Sequence, residues 1–313
     1  MGTSGARPRR RTSRRRPISE LWRAIAERTR TALASGALQP IATEQGIVED
    51  AGVPFVVRSV SSLERKRLEA REPEQTKRAR PRNPLMPPEP PLTIGDITPT
   101  HVGVLNKYPV VERHLLIVTK APAPQEAALD RHDFLAIARC LAEIDGLAFY
   151  NGGRGAGASQ PHKHLQLVPL PLDRGPWAAP MEAVFDSWAA SGNVTRLLRL
   201  PFRNAFSLLD GFDDEPRATE RLEELYAAQL AAIGVVDEEA PRAANDEPLR
   251  PAPYNLLVTR RWMLAVPRSR ERFGTISINA LGFAGSLFVR DEEEMQDLRE
   301  AGPMRALKAV SIA

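Results

Sequence analysis

Apolar positions recur at helical spacing over Ile18–Leu38, where Leu21, Ile25, Thr29 and Leu33 fall on one stripe; this predicts an amphipathic helix. "IVEDAGVPFVVRSV" then reads as a turn and a strand. Residues 62–82 are a charge run, expected to be a solvated helix face and linker, and the Pro-rich "RNPLMPPEPPL" after it predicts an extended segment that cannot be helix. Two β-rich runs follow, His101–Leu105 and His114–Thr119, joined by a polar connection that suggests a long hairpin. "DRHDFLAIARCLAEID" predicts a helix with Phe134, Ile137, Ala138 and Leu141 inward. "GLAFYNGG" is a strand entering a glycine loop, and "HKHLQLVPL" is the strand that leaves it, ended by Pro169 and Pro171.

Residues 174–245 read as mostly helical, Arg217–Ile233 most clearly, with "VDEEAPRAANDEP" as an acidic surface loop. Tyr254–Thr259 and Trp262–Pro267 form a second hairpin-like pair, which echoes the strand–turn–strand of "GVLNKYPVVERHLLIVTK". "ISINALGFAGSLFV" predicts more strand or a Gly-rich turn, and the chain closes with a helix broken near Gly302–Pro303. Two strand–strand–helix halves around an antiparallel sheet are therefore expected. The division runs 1–20, a basic disordered tail; 21–205; and 206–313.

Composition narrows the class. A hydrophobic content of 42% over 313 residues supports a sizeable globular core. The single cysteine, Cys140, excludes a disulfide framework and a cysteine-based zinc site and suits the reducing cytoplasm. No apolar run approaches the roughly 20 residues of a membrane span, and no apolar stretch follows the N-terminal arginines as a secretory signal requires. Residues 1–20 hold seven Arg and one Glu, so the formal +4 of the chain belongs to that tail and the remainder is net negative. A polyanion or nucleic-acid contact through the tail would be electrostatic only, since it carries no aromatic residue to stack on bases.

The candidate chemistry lies in "NGGRGAGASQPHKHLQLVPL", residues 151–170. Strand alternation puts His162, His164 and Gln166 on one face and Lys163, Leu165 and Leu167 on the other. Glycines let backbone N–H groups approach phosphate oxygens, and Ser159 adds a hydroxyl. The loop opens a strand, so it is neither a dinucleotide fingerprint nor a P-loop. A near-neutral imidazole can attack phosphorus and leave again, and Gln166 can hold a phosphoryl oxygen without adding charge. The rival chemistry, zinc on His-x-His, lacks a third ligand at a recognisable spacing.

"HKHLQ" resembles the His-x-His-x-Gln motif of the transferase branches of the histidine-triad superfamily. Three blocks, "HVGVLNKYPVVERHLLIVTK", "GGRGAGASQPHKHLQLVP" and "YNLLVTRRWMLAVPRSRE…ISINALGFAG", are similar in that order to diadenosine tetraphosphate phosphorylases, also called ATP adenylyltransferases. The resemblance covers roughly Asn83 to the C-terminus and implies an α+β fold, an antiparallel sheet from two histidine-triad-like halves with flanking helices. It implies that His164 is the nucleophile on an α-phosphorus of diadenosine tetraphosphate, with ATP, ADP and inorganic phosphate as the other reactants. It further implies that His162 supports His164, that Gln166 holds the transferred group, and that Asn151, Gly157, Ala158 and Ser159 form the phosphate loop. Asn83 lies near the nucleotide in such proteins, and Lys107 is placed to meet the polyphosphate. Mg²⁺ is expected to arrive with the nucleotide, since no metal cage is visible. His114 is expected to order the site; His101, His132 and Lys163 read as structural or surface residues, and Trp262 and Met263 as core. Two halves in one chain suit a monomer. Sugar-1-phosphate nucleotidylyl transfer and non-catalytic nucleotide sensing are the competing functions.

Overall fold

The computed structural model describes residues 19–60, 83–185, 194–236 and 249–313. The basic tail, the charge run at 62–82 and most of the acidic loop lie outside these residues. Helix α1 (Glu20–Ala34) starts where the Ser19 hydroxyl accepts from the Trp22 N–H, an N-cap. A hairpin, β1 (Thr43–Asp50) and β2 (Val53–Val60), follows. The Pro-rich stretch ends in a single 3-10 turn at Pro90–Leu92 instead of staying extended, because Pro at the first positions of a turn lacks only an N–H that would be unpaired anyway. Then come β3 (Thr93–Asp96), β4 (His101–Leu105) and β5 (Leu115–Thr119). Helix α2 (Arg131–Glu143) is fixed by a reciprocal capping box between Asp130 and Asp133. After it run β6 (Gly146–Gly152), β7 (His164–Pro169) and β8 (Ala205–Leu208). Helix α3 (Glu215–Ile233) starts under an Asp214 cap and ends at Gly234, which takes the left-handed conformation at φ 67°. Strands β9 (Tyr254–Val258) and β10 (Trp262–Pro267), the two-residue β11 (Arg272–Phe273) and β12 (Ile276–Ser277), helix α4 (Ala280–Phe283), β13 (Ser286–Val289), α5 (Glu292–Ala301) and α6 (Pro303–Val310) complete the chain.

Eight strands form one antiparallel sheet in the order β3-β4-β5-β7-β6-β9-β10-β8. The α+β fold expected from the sequence is observed. Apolar side chains of α1, α2 and α3 cover one face. The other face packs on β2, β13, α4 and the C-terminal helices. Strands β6, β9 and β10 are therefore buried on both sides, which explains their continuous apolar runs. On α1 the stripe turns inward through Ile25, Thr29 and Ala32, while Leu33 is 46% exposed, contrary to the helical spacing read from sequence.

The repeat is present, but its phase differs from the echo heard in the sequence. β6 and β9 pair at the centre, and the order reads outward as β6-β7-β5 on one side and β9-β10-β8 on the other. The repeating unit is thus strand–helix–strand–strand: β5-α2-β6-β7 and β8-α3-β9-β10. Helices α2 and α3 pack together, Phe134 against Tyr226 at 5.1 Å between rings. The β9–β10 hairpin corresponds to β6–β7, not to β4–β5. Segments 21–205 and 206–313 share this sheet, and β13 also pairs in parallel with β2.

Candidate functional site

His164 and Gln166 sit on β7 between β5 and β6, His164 opposite Val118 and Gln166 opposite both Leu116 and Phe149. The β6–β7 ladder stops at Phe149–Gln166. Beyond it the Gln125 side chain takes the place of a peptide group. Its Oε1 accepts from the His164 N–H at 2.9 Å, and its Nε2 donates to the carbonyls of His164 at 3.1 Å and Asn151 at 3.0 Å. Both ends of the glycine loop are tied together by that one buried amide.

The His164 ring is fixed in one tautomer. Nδ1 lies 2.8 Å from the His162 carbonyl, which only accepts, so Nδ1 carries the hydrogen and Nε2 keeps its lone pair. Nε2 makes no hydrogen bond among the described residues. Burial pushes the His164 pKa down to about 4; the bond to His162 opposes this and the His162 ring adds to it. The imidazole is therefore neutral at pH 7. His162 precedes the strand, bridged to Pro124, and its Nε2 is anchored on Thr119, 2.8 Å from the carbonyl and 3.1 Å from the hydroxyl. Its hold on His164 is exerted through the main-chain carbonyl.

Gln166 is oriented by a one-way chain of donors. The Tyr108 N–H donates to Asn106 Oδ1 (3.2 Å), which leaves Asn106 Nδ2 to donate to His114 Nδ1 (3.1 Å). His114 Nε2 must then carry the hydrogen, and it donates to Gln166 Oε1 at 2.9 Å. The Gln166 oxygen is occupied from behind and its NH₂ is left for a ligand. Burial lowers the His114 pKa to about 4, against its bond to Gln166 and helped by His164, so this relay also stays neutral.

Asn151 repeats the arrangement. Its Oδ1 accepts from Asn255 Nδ2 (2.8 Å) and from the Ala280 N–H (3.0 Å), while its Nδ2 has no partner among the described residues. Asn255 is in turn held by Arg268, whose Nη1 donates to Asn255 Oδ1 at 2.5 Å. The buried Arg268 guanidinium also reaches the carbonyls of Ala156, Ile278 and Val310. Burial lowers its pKa to about 10, opposed by Glu271, so it stays charged at neutral pH.

The glycine loop differs from a simple row of open N–H groups. Ala156 and Ala158 donate to the Gly153 carbonyl and Gly157 to the Arg154 carbonyl. Gly157 is needed for its shape: φ is 89°, and a Cβ there would lie 2.9 Å from the Ile278 carbonyl oxygen. Ser159 is exposed, and neither its N–H nor its hydroxyl has a partner among the described residues. Asn83 is brought against the motif, sharing with His162 the wall of a cavity of about 270 Å³. Lys107 is engaged elsewhere, 2.8 Å and 3.1 Å from the Glu89 carboxylate, whose hydrogen bond raises the Lys107 pKa. Its neighbour Asn106 is the residue of that turn that connects to the motif. His101 and Lys163 both bond to the buried Asp133, at 3.0 and 2.5 Å, and tie the motif to the start of α2. His132 is exposed, and Trp262 and Met263 are core.

Residues 11–187 match the Ap4A phosphorylase N-terminal domain and residues 198–313 the ATP adenylyltransferase C-terminal domain. The chain is 28% identical over 211 residues to diadenosine 5',5'''-P1,P4-tetraphosphate phosphorylase 2 of Saccharomyces cerevisiae, covering 63% of this chain and a little under two thirds, 64%, of that protein. It is 25% identical over 292 residues to protein APA1 of the same yeast, covering 88% of each. The crystal structure of yeast Ap4A phosphorylase Apa2 has the same fold, with a TM-score of 0.74 over 93% of this chain and 94% of that one at 23% identity. With one of the two domain families matching more than half of its length, this chain belongs to the Ap4A phosphorylase (ATP adenylyltransferase) family.

Proposed function

We propose that this nucleotidyltransferase splits diadenosine tetraphosphate by phosphorolysis into ATP and ADP, reversibly, through an adenylyl group carried on His164. The observation that carries the reading is the neutral His164 ring, with its Nδ1 hydrogen committed to the His162 carbonyl and its Nε2 lone pair uncommitted, beside the outward NH₂ of Gln166. The lone pair of Nε2 attacks an α-phosphorus. The bond from that phosphorus to the bridging oxygen breaks, and ATP leaves with the electron pair. The Gln166 NH₂ donates to a non-bridging oxygen as charge builds there. The His162 carbonyl holds the Nδ1 hydrogen and steadies the cationic phosphoramidate ring. An oxygen of inorganic phosphate then attacks the same phosphorus, the N–P bond returns its pair to Nε2, and ADP departs. Asn151 and Ser159 supply further donors to the anionic substrate.

The yeast relatives named for this activity, and a yeast Ap4A phosphorylase solved in complex with Ap4A, support the choice of substrate. Among the described residues no group of three or more His, Cys, Asp or Glu could hold a metal. Mg²⁺ is taken to enter as a companion of the polyphosphate, whose oxygens it would neutralise, and no step runs through it. No described helix is long and apolar enough to cross a membrane. We place the enzyme in the cytoplasm and take it to act as a monomer.

The test is incubation with diadenosine tetraphosphate and Mg²⁺, with and without phosphate, followed by chromatography of the nucleotides. Equal ADP and ATP, formed only with phosphate, are expected. AMP and ATP without phosphate would identify water as acceptor and overturn phosphorolysis, and no reaction would bring forward the sugar-1-phosphate transferases.

A further inference from the structure

Gln125 does more than tie down the glycine loop. It is 1% exposed and belongs to the connection between β5 and α2, outside the sheet. Its own main chain is fixed at both ends. The N–H donates to the Pro161 carbonyl at 2.8 Å, and the carbonyl accepts from the Tyr150 hydroxyl, which also reaches the Ala127 carbonyl at 2.9 Å.

The register of β6 on β7 shows what the side chain displaces. Gly146 faces Pro169, Ala148 faces Leu167 and Phe149 faces Gln166; continued along both strands, the ladder would set Asn151 against His164. In an antiparallel ladder every second facing pair exchanges both of its main-chain bonds. The Leu170 N–H donates to the Asp145 carbonyl at 3.0 Å, and alternation in steps of two from Asp145 arrives at Asn151, so Asn151–His164 would be a bonded pair. Its bonds are not made. The His164 N–H turns to Gln125 Oε1 and the Asn151 carbonyl to Gln125 Nε2, with the amide lying between the strands. Neither strand has frayed: β7 keeps His164 opposite Val118 of β5, and β6 keeps Asn151 opposite Asn255 of β9. The gap is built in, and the amide fills it.

Facing residues of an antiparallel pair carry their side chains on the same face. Asn151 and His164 therefore look into one space, each with a nitrogen free of partners among the described residues. A group held between those nitrogens by contacts of about 3 Å on each side needs them roughly 6 Å apart. A directly bonded pair, with Cα atoms about 5.5 Å apart and parallel side chains, is narrower than that.

We propose that Gln125 is a positioning residue that holds β6 and β7 apart at this one pair, and so sets the distance between the His164 nucleophile and the Asn151 donor for one α-phosphoryl group to meet both. The inference rests on the adenylyl-transfer reading above.

Two substitutions in the full chain test it. Gln125→Ala removes the spacer and lets the His164 N–H and the Asn151 carbonyl bond directly, which preserves the fold. Its kcat for diadenosine tetraphosphate at saturating phosphate is expected to fall about 30- to 100-fold, the scale of a nucleophile misplaced by about an ångström, with KM changed less than about threefold. A crystal structure of the variant should show the pair closed. Nitrogen NMR should show the neutral, Nδ1-protonated His164 ring intact, since the His162 carbonyl that fixes it is untouched. Gln125→Met keeps the width of the side chain without its bonds. It should be the less stable variant in denaturant, because three main-chain groups lose their partner, yet keep kcat within about fivefold of wild type. A residue that only stabilises the fold would give the opposite ranking, activity following stability, and that result would overturn the inference. Wild-type turnover in Gln125→Ala, or a closed pair without loss of kcat, would overturn it too. Should Gln125→Ala not fold, Gln125→Asn, one methylene short of bridging the gap, takes its place with an expected kcat loss of about tenfold and the same overturning results. A wild-type chain that does not cleave diadenosine tetraphosphate would sink the substrate reading and this inference with it; an active wild type with unaffected variants would sink this inference alone.

Discussion

The two repeats of the central sheet are built alike and used differently. In β5-α2-β6-β7 the inner strand β7 carries His164 and Gln166. In β8-α3-β9-β10 the corresponding strand β10 reads Trp-Met-Leu-Ala-Val-Pro and is buried throughout. The second repeat provides support: Asn255 on β9, Arg268 just after β10, and the Asn279–Ala280 turn hold Asn151 from behind. In the proposed mechanism one copy does the chemistry and the other fixes its side chains, which lets the two repeats carry different residues at corresponding positions.

This division can be attacked directly. The largest effect is expected from His164→Ala, which should lower turnover by on the order of 10⁴-fold or more with an unchanged circular dichroism spectrum. Met263→Leu on the silent strand β10 should change turnover by no more than about twofold, since the swap conserves volume. Comparable activity in the two variants would end the distinction. Next comes Arg268→Met in the supporting repeat, which leaves several buried carbonyls without a donor. Denaturant titration should show a stability loss of roughly 3–5 kcal/mol, and a loss below about 1 kcal/mol would mean that Arg268 is not the brace described here. Gln166→Ala should raise the barrier by about 2–4 kcal/mol, read as a fall in kcat larger than any change in KM.

A smaller effect is expected one step further back. His114→Phe keeps a ring against Phe149 but removes the donor that orients Gln166. It should lower kcat by about tenfold, the worth of one hydrogen bond, and should add little when combined with Gln166→Ala. Full additivity in the double variant would show that His114 acts by another route. The smallest effect concerns pH. In the proposed mechanism His164 acts as the neutral ring, and its pKa is pushed down to about 4, so turnover should hold steady from pH 8 to about 5.5 and fall as the ring protonates near 4. A fall centred near the ordinary histidine value of about 6.5 would show that the ring is not desolvated in the working enzyme.

What sequence revealed was local. The strands around the motif, the helices over 131–143 and 215–233 and the break at Gly302 follow from periodicity, caps and glycine. The phase of the repeat did not, because β9–β10 resembles any two-strand hairpin and only the pairing of β6 with β9 identifies its counterpart. His164 and Gln166 were readable from their alternation on β7, while His162 lies just before that strand. Asn106, Gln125, Asn255 and Arg268 were not, since each works through contacts to residues distant along the chain or through partners set by the fold. No spacing rule marks a glutamine that stands in for a peptide group. The pairing of Lys107 with Glu89 was not legible either, because it depends on how the Pro-rich segment folds back.

Both site amides, Gln166 and Asn151, have their oxygens bonded to the scaffold and turn only hydrogens outward. Neither can accept a proton. Water attacking phosphorus must lose one on the way, whereas an oxyanion has none to lose. On the proposed mechanism, a pocket furnished in this way would discriminate between acceptors by their protonation state, and would treat other small oxyanions as it treats phosphate.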